Sequence, residues 1–290
     1  MLSPELIKKA DQIFIRSRHK VTDVFAGEFE SAFRGRGIEF EEFREYVPGD
    51  DVRQIAWNVT ARMDRPYVKV FREEREQTIF FLVDLSGSQD FGRTRTKRDI
   101  VTEIAALLSY ATIKSGDKVG LILFSDRIEA FIPPKKGRAH VWRIIAEILS
   151  RETRGTGTKI GEALRYFMTV CTRRATCFLV SDFWDDAFER DLTLTALKHD
   201  LIVMRVRDEL EAKPPQAALI DFIDNESSES VTTDLSTKGA LNSIHAALRE
   251  RDEKLGHFFR SRGVDEVILS ANEDYAEALM RFFIGREKKR

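Results

Sequence analysis

The residues Thr78-Ile79-Phe80-Phe81-Leu82-Val83-Asp84-Leu85-Ser86-Gly87-Ser88 decide how this chain is read. Six residues, mostly β-branched or aromatic and five of them apolar, run directly into a carboxylate and two hydroxyls. A short apolar run of this kind predicts a strand buried on both faces, as in a parallel sheet covered by helices. Packing gives no reason for such a strand to end in Asp-x-Ser-x-Ser. The three side chains offer hard oxygen donors and nothing soft, a set suited to magnesium or manganese rather than zinc or copper. The plainer alternative is a turn in which Asp84 and the serines bond nearby backbone N–H groups. This stretch alone leaves both readings open.

Working outward, the apolar spacing predicts a well-buried helix over 97–114, stopped by Ser115-Gly116-Asp117. Lys118 to Phe124 is a second buried strand, and Ile128 to Ile132 a short one before Pro133-Pro134. Helix is expected over 141–149. The Gly/Thr loop Arg154-Gly155-Thr156-Gly157-Thr158 opens another that runs through Val170. Thr176 to Val180 and Leu201 to Val206 are further buried strands, the first ending in Ser181-Asp182-Phe183-Trp184-Asp185-Asp186. Helices alternating with apolar strands define a doubly wound, mostly parallel α/β sheet. Pro214-Pro215 interrupts it, and a hairpin insertion is expected near 214–235, with its turn at Asp224-Asn225-Glu226-Ser227. A helix near 237–262, a strand over 264–269 and a helix over 275–283 close the domain.

The N-terminal part is built differently. Leu6, Ile7, Ala10, Ile13 and Phe14 mark an amphipathic helix over 5–18. Phe40 and Phe43 then anchor an extended segment, Pro48-Gly49 turns, and Val52, Ile55, Ala56 and Val59 predict one helix capped by an Asp. Tyr67 to Phe71 returns as a strand. The domain reading is therefore an extension over 1–77 and a main domain over 78–290.

Composition narrows the function. Lys and Arg total 47 against 48 Asp and Glu, a formal charge of −1. Binding nucleic acid through bulk positive charge is thereby disfavoured. Arg34, Arg36, Arg44, Arg53, Arg62 and Arg65 alternate with acids, which reads as ion pairing on a solvated surface, with a phosphate or nucleic-acid contact as the alternative that the overall charge does not support. No run approaches the about eighteen apolar residues of a membrane span. Two cysteines are too few for a disulfide framework, and the first residues lack a signal-peptide pattern, so a cytoplasmic protein is expected.

Gly37-Ile38-Glu39-Phe40 with Arg44-Glu45-Tyr46-Val47-Pro48-Gly49-Asp50-Asp51-Val52-Arg53-Gln54-Ile55-Ala56-Trp57 resembles the signature of the bacterial family called domain of unknown function 58. Ala61-Arg62 and Val68 to Glu73 continue it. The resemblance implies a von Willebrand factor A-like domain and an association with MoxR-type AAA+ ATPases. Longer members carry membrane spans, which this sequence does not match.

The same resemblance gives the oxygen-bearing loops a role. Asp84, Ser86 and Ser88, then Thr158, then Asp182 are similar to the metal-ion-dependent adhesion site of von Willebrand A domains. Thr158 fits the phrase better than Thr156, because Lys159-Ile160 and Ala163-Leu164 follow it. The implied cofactor is Mg²⁺ or Mn²⁺, with one position left for an acidic group of a partner. Trp184 and Arg53 are candidates for partner contact. Trp184 also has a plainer reading as a buried packing residue, which is the one the sequence favours. Asp90, Asp185 and Asp186 read as solvated loop carboxylates, the alternative being that they support the ion's ligands from behind.

Several chemistries lack their motifs. Thr158 rather than Lys follows Gly157, so no phosphate-binding Gly-x-x-x-x-Gly-Lys-Ser/Thr loop forms, and Gly-x-Ser-x-Gly is absent around Ser86. His19, His140, His199, His245 and His257 show no zinc spacing. The expectation is a non-enzymatic protein-binding module, an adaptor or co-chaperone of a MoxR-type ATPase. A metal-dependent phosphoester hydrolase and a structural domain with an empty site are the alternatives.

Overall fold

The computed structural model describes residues 4–33, 38–63, 65–73, 76–86, 96–153, 155, 157–185, 187–207, 220–223, 230–233, 238–270 and 274–288. They fall into two compact units, one of residues 33–77 and one of residues 1–32 with 78–290.

The larger unit begins with helices α1 (Pro4–Lys20) and α2 (Asp23–Phe33). In the smaller, β1 (Ile38–Glu45) pairs antiparallel with β2 (Tyr67–Glu73), and α3 (Trp57–Met63) lies between them in sequence. The larger unit resumes with β3 (Thr78–Asp84), α4 (Lys97–Ser115), β4 (Lys118–Phe124), β5 (Ile128–Lys135) and α5 (Arg138–Ser150). It continues with α6 (Ile160–Val170), β6 (Thr176–Ser181), α7 (Glu189–Lys198) and β7 (Asp200–Arg207). The strands β8 (Ile220–Ile223) and β9 (Ser230–Thr233) form a separate antiparallel pair. Last come α8 (Lys238–Ser261), β10 (Asp265–Ser270) and α9 (Tyr275–Glu287).

The main sheet has the order β10-β7-β6-β3-β4-β5. Every neighbouring pair is parallel except β4 with β5. Proline donates no ladder bond and is confined to sheet edges. The edge strand β5 accordingly continues through Pro133 and Pro134, where the sequence reading stopped it. Apolar side chains of alternate residues feed two helical layers. Phe80, Leu82, Cys177, Leu179, Leu201 and Val203 face α6, α7 and the end of α8 through Phe167, Leu192 and Phe259. Phe81 stacks on Phe178 at 5.4 Å within the buried core. Gly120 admits the Phe80 ring to the neighbouring strand, since a Cβ there would lie 2.6 Å from it.

Several sequence expectations change. Helix α1 goes with the sheet rather than with an extension: Lys9 pairs with Asp99 of α4 at 2.6 Å, and the Trp142 indole donates to Asp11. Helix α2 was not foreseen; its Phe25 and Phe29 meet Phe283 of α9 edge-on, at 5.5 and 5.4 Å. The boundary therefore falls at 33–77 rather than 1–77. The single helix expected over 52–59 is two pieces, a 3₁₀ turn Val52–Gln54 capped by Asp51 and then α3. Ile55 between them bridges to Val68, because its backbone is taken by the sheet. Phe43, expected as an anchor, is 42% exposed on β1. Helix α7 was also missed, its apolar positions being sparse.

Candidate functional site

Sheet order reverses between β3 and β6, the strands that begin the two halves of the winding. Ligands collect outside the carboxyl ends of strands at such a point. Asp84 ends β3, and Asp182 follows β6 directly. Sheet register thus brings together two carboxylates that are 98 positions apart.

Asp84 is buried and fully engaged. One carboxylate oxygen accepts from the Ser86 N–H at 2.9 Å, the other from the Ser181 hydroxyl at 2.6 Å. Ser181 Oγ in turn accepts from the Phe183 N–H at 3.1 Å, so one hydroxyl joins the two loops. Burial, and after it the charge of Asp182, pushes the Asp84 carboxyl up to about 7, against the pull of its bonds from Ser181 and Ser86. Charge held apart from water beside like charge calls for a cation.

Part of one is supplied by the chain. Lys97, the first residue of α4, donates from Nζ to Asp182 Oδ2 at 3.1 Å, with the two side chains 0% and 4% exposed. The other oxygen, Asp182 Oδ1, is buried and has no hydrogen-bond partner among the described residues. Such an atom is rare in a native interior and marks a place for a ligand, ion or water. Immediately after it, Phe183 holds φ at +62°, a left-handed conformation that costs a bulky residue about 1–3 kcal/mol. The ring is nonetheless buried against Phe188 and Phe259, and the strain turns the chain outward at the next residue.

That residue is Trp184. It is 54% exposed, so the buried packing role the sequence favoured does not hold. The Arg251 guanidinium of α8 lies 3.6 Å from its ring centroid and also donates to the Phe183 carbonyl. Burial holds the Arg251 pKa below its usual value, while the charge of Asp182 pulls the other way.

Thr158 is half-buried in the loop entering α6. The loop is tied on both sides: Lys159 N–H donates to the Ser125 carbonyl at 2.9 Å, and Ile160 N–H to Asp185 Oδ2 at 2.7 Å. Asp185 is therefore a bracket between the Thr158 loop and the Asp182 loop, rather than a solvated carboxylate. Gly155 N–H donates to Glu129, and a Cβ at Gly155 would lie 2.1 Å from Ser125 Oγ, so any side chain there would have to displace Ser125 and Asp126. Ser88, Asp90 and Asp186 lie outside the described residues. Arg53 is exposed on the 33–77 unit, separate from the unit that carries Asp84.

Two participants escaped the sequence reading. Ser181 reads there as the last residue of a strand, and Lys97 as the charged start of a helix. Neither carries a local signal, because each gains its role from a partner more than eighty positions away.

The donor set is one of oxygens. Asp84, Ser86 and Asp182 suit Mg²⁺ or Mn²⁺, which accept few protein ligands and keep water on the rest. The orphaned Asp182 Oδ1 fits such an ion. Among the described residues no group of three or more His, Cys, Asp or Glu side chains is placed to hold a metal ion.

Fold and edge together define a doubly wound α/β domain with an oxygen-donor cluster at its switch point. The chain belongs to the family described as Protein of unknown function DUF58, which it matches over residues 42–254. It is 26% identical to the uncharacterized protein Rv1480 of Mycobacterium tuberculosis, over 98% of this chain and 91% of that one, and equally to Mb1516 of Mycobacterium bovis. Among solved structures it is similar to the conserved hypothetical protein BatB of Bacteroides thetaiotaomicron, with a TM-score of 0.42 and 15% identity over 74% of this chain and all of that one. It is also similar to the SpRpn10 VWA domain, with a TM-score of 0.40 and 12% identity over 70% of this chain and 93% of that one. No helix among the described residues is long and apolar enough to cross a membrane.

Proposed function

We propose that this protein is a non-enzymatic protein-binding module whose carboxyl-edge cluster holds Mg²⁺ or Mn²⁺ and docks an acidic side chain of a partner. The observation that carries the reading is the pair of buried carboxylates at the switch point, one with an orphaned oxygen. Asp84, Ser86, Ser88, Thr158 and Asp182 are the residues assigned to the ion. When bound, the ion supplies a directional electrostatic contact to an incoming carboxylate. The chain does the rest. Ser181 and the Ser86 N–H fix Asp84, Lys97 fixes Asp182, and Asp185 holds the Thr158 loop against the Asp182 loop. Trp184, turned outward by Phe183, offers an apolar face beside the cluster for the partner's backbone or side chains. Arg53 offers a charged contact on the smaller unit.

The family resemblance points to a MoxR-type AAA+ ATPase as the partner, with this chain as its adaptor or co-chaperone. Two buried, unpaired cysteines, Cys171 and Cys177, suit the reducing cytoplasm. The test is a pull-down from lysate of the source cells, identified by mass spectrometry, with wild type and Asp84→Ala in Mg²⁺ and in EDTA. An ATPase retained by wild type in Mg²⁺, and lost in EDTA and in Asp84→Ala, is the expected result. Equal capture under all conditions rules out docking through the ion.

A further inference from the structure

Lys97 breaks two local rules at once. Lysine is almost never fully buried, and a cation at the start of a helix opposes the helix dipole. Yet Lys97 is 0% exposed at the first position of α4, a 19-residue helix whose N-cap, Thr96, is otherwise orthodox and accepts from the Asp99 N–H. Local violations of this kind collect at functional sites. Here the compensation is visible: the ammonium lies 3.1 Å from Asp182 Oδ2 and leaves Oδ1 without a partner among the described residues.

The charges can be counted. Asp84 and Asp182, when ionised, carry −2, and Lys97 returns +1. A divalent ion takes the cluster to +1 rather than to neutrality, and Arg251, close enough to feel Asp182, adds to the excess. Without Lys97 the same ion would be matched by the two carboxylates alone. A loaded site with surplus positive charge in a low-dielectric edge favours an anionic ligand from outside.

We propose that Lys97 is a resident cation of this site. Its ammonium holds Asp182 in place when no divalent ion is bound, competes with the ion for that carboxylate, and leaves the loaded cluster needing an external anion. This rests on reading the edge as a divalent-ion site. Ion and anionic partner group then bind cooperatively: affinity for the ion alone is modest, and a partner's carboxylate strengthens it.

The test counts free Mn²⁺ by electron paramagnetic resonance on the full chain, as wild type, Lys97→Met and Asp84→Ala, with and without acetate as a probe for the partner's carboxylate. Lys97→Met is expected to bind Mn²⁺ at least about tenfold more tightly than wild type, since a unit charge a few ångströms away is removed. Acetate is expected to tighten Mn²⁺ binding in wild type and to do so less in Lys97→Met. Because the variant leaves Asp182 uncompensated, its Tm in EDTA should fall, and Mn²⁺ should raise that Tm further than it raises the wild-type value. Lys97→Gln, which keeps a donor to Asp182 without the charge, should follow the same order and covers the case in which Lys97→Met does not fold. Equal or weaker Mn²⁺ binding in both lysine variants, with binding lost in Asp84→Ala, overturns the role of Lys97 and leaves the ion site standing. Absence of Mn²⁺ binding in every chain overturns both.

Discussion

The main sheet carries a buried ionic cluster at each end, and the two are built to opposite specifications. At the amino ends of β7 and β10, Arg286 of α9 reaches Asp265 at 2.8 Å, forks onto Asp200, and donates to the Ala32 carbonyl of α2 at 3.3 Å. Its five N–H donors lie in a planar fork that matches carboxylates two at a time, and the Asp200 and Asp265 side chains keep 20% and 31% exposure, so water shares their charge. That end is a clasp tying α2 and α9 to the strand starts. At the carboxyl ends, Asp84 and Asp182 are almost wholly buried, Lys97 donates to Asp182, and an oxygen of Asp182 is left unpartnered among the described residues. Two ionic clusters on one sheet therefore differ in burial and in how far their hydrogen bonds close. A cluster whose hydrogen bonds close serves stability, and on the function proposed above the cluster with an unpartnered oxygen serves binding.

Three measurements can sharpen or break this contrast. The largest effect is expected at the clasp. Arg286→Met strands two carboxylates and should lower unfolding free energy by about 3 kcal/mol in urea denaturation, while Mn²⁺ binding by the folded protein stays as in wild type. A loss of Mn²⁺ affinity in step with stability would join the two ends into one cooperative system.

Asp84→Asn should do the reverse. In EDTA above pH 7 the wild-type carboxyl is charged in both folded and unfolded chains, and the folded state bears the cost of burying it beside Asp182. The native carboxyl titrates at about 7 against an ordinary 3.8, so from about pH 4 to 7 the folded chain binds more protons than the unfolded one, and wild-type stability falls as pH rises. The amide avoids that cost. Asp84→Asn is expected to be more stable than wild type by about 2 kcal/mol at pH 8, with the gain fading toward pH 4, and to bind no Mn²⁺. An asparagine variant less stable than wild type in EDTA at pH 8 would make the edge a closed structural cluster like the clasp.

The smallest stability effect belongs to the rim. Trp184→Ala removes an exposed ring and its contact with the Arg251 guanidinium, a loss of about 0.5–1 kcal/mol. If Trp184 is a partner contact, the affinity of the captured partner should drop roughly tenfold. A larger fall in Tm with unchanged capture would return Trp184 to a packing role.

Much of the architecture was legible in the chain because burial leaves a periodic record. Apolar runs at 78–83, 119–124, 176–180 and 201–206 became β3, β4, β6 and β7, and the acidic residues at their ends marked the edge that carries the candidate site. Other elements are less legible. Helix α2, with Phe25, Phe29 and Phe33 at helical spacing, is short and runs straight into a stretch dense in charge and glycine, α7 has few apolar positions, and Pro133 and Pro134 speak against a strand unless it lies on an edge.

The sequence by itself determined the alternation of strands and helices, the oxygen-rich ends at Asp84 and Asp182, and the signature of the family, since each is written in neighbouring residues. Only the tertiary structure decided which helices join the sheet, that Trp184 faces outward on a strained Phe183, that Ser181 closes onto Asp84, and that a buried lysine stands against Asp182. Those features depend on strand order and on contacts between residues far apart in the chain, and a pairing across more than eighty positions leaves no periodicity in either partner's surroundings.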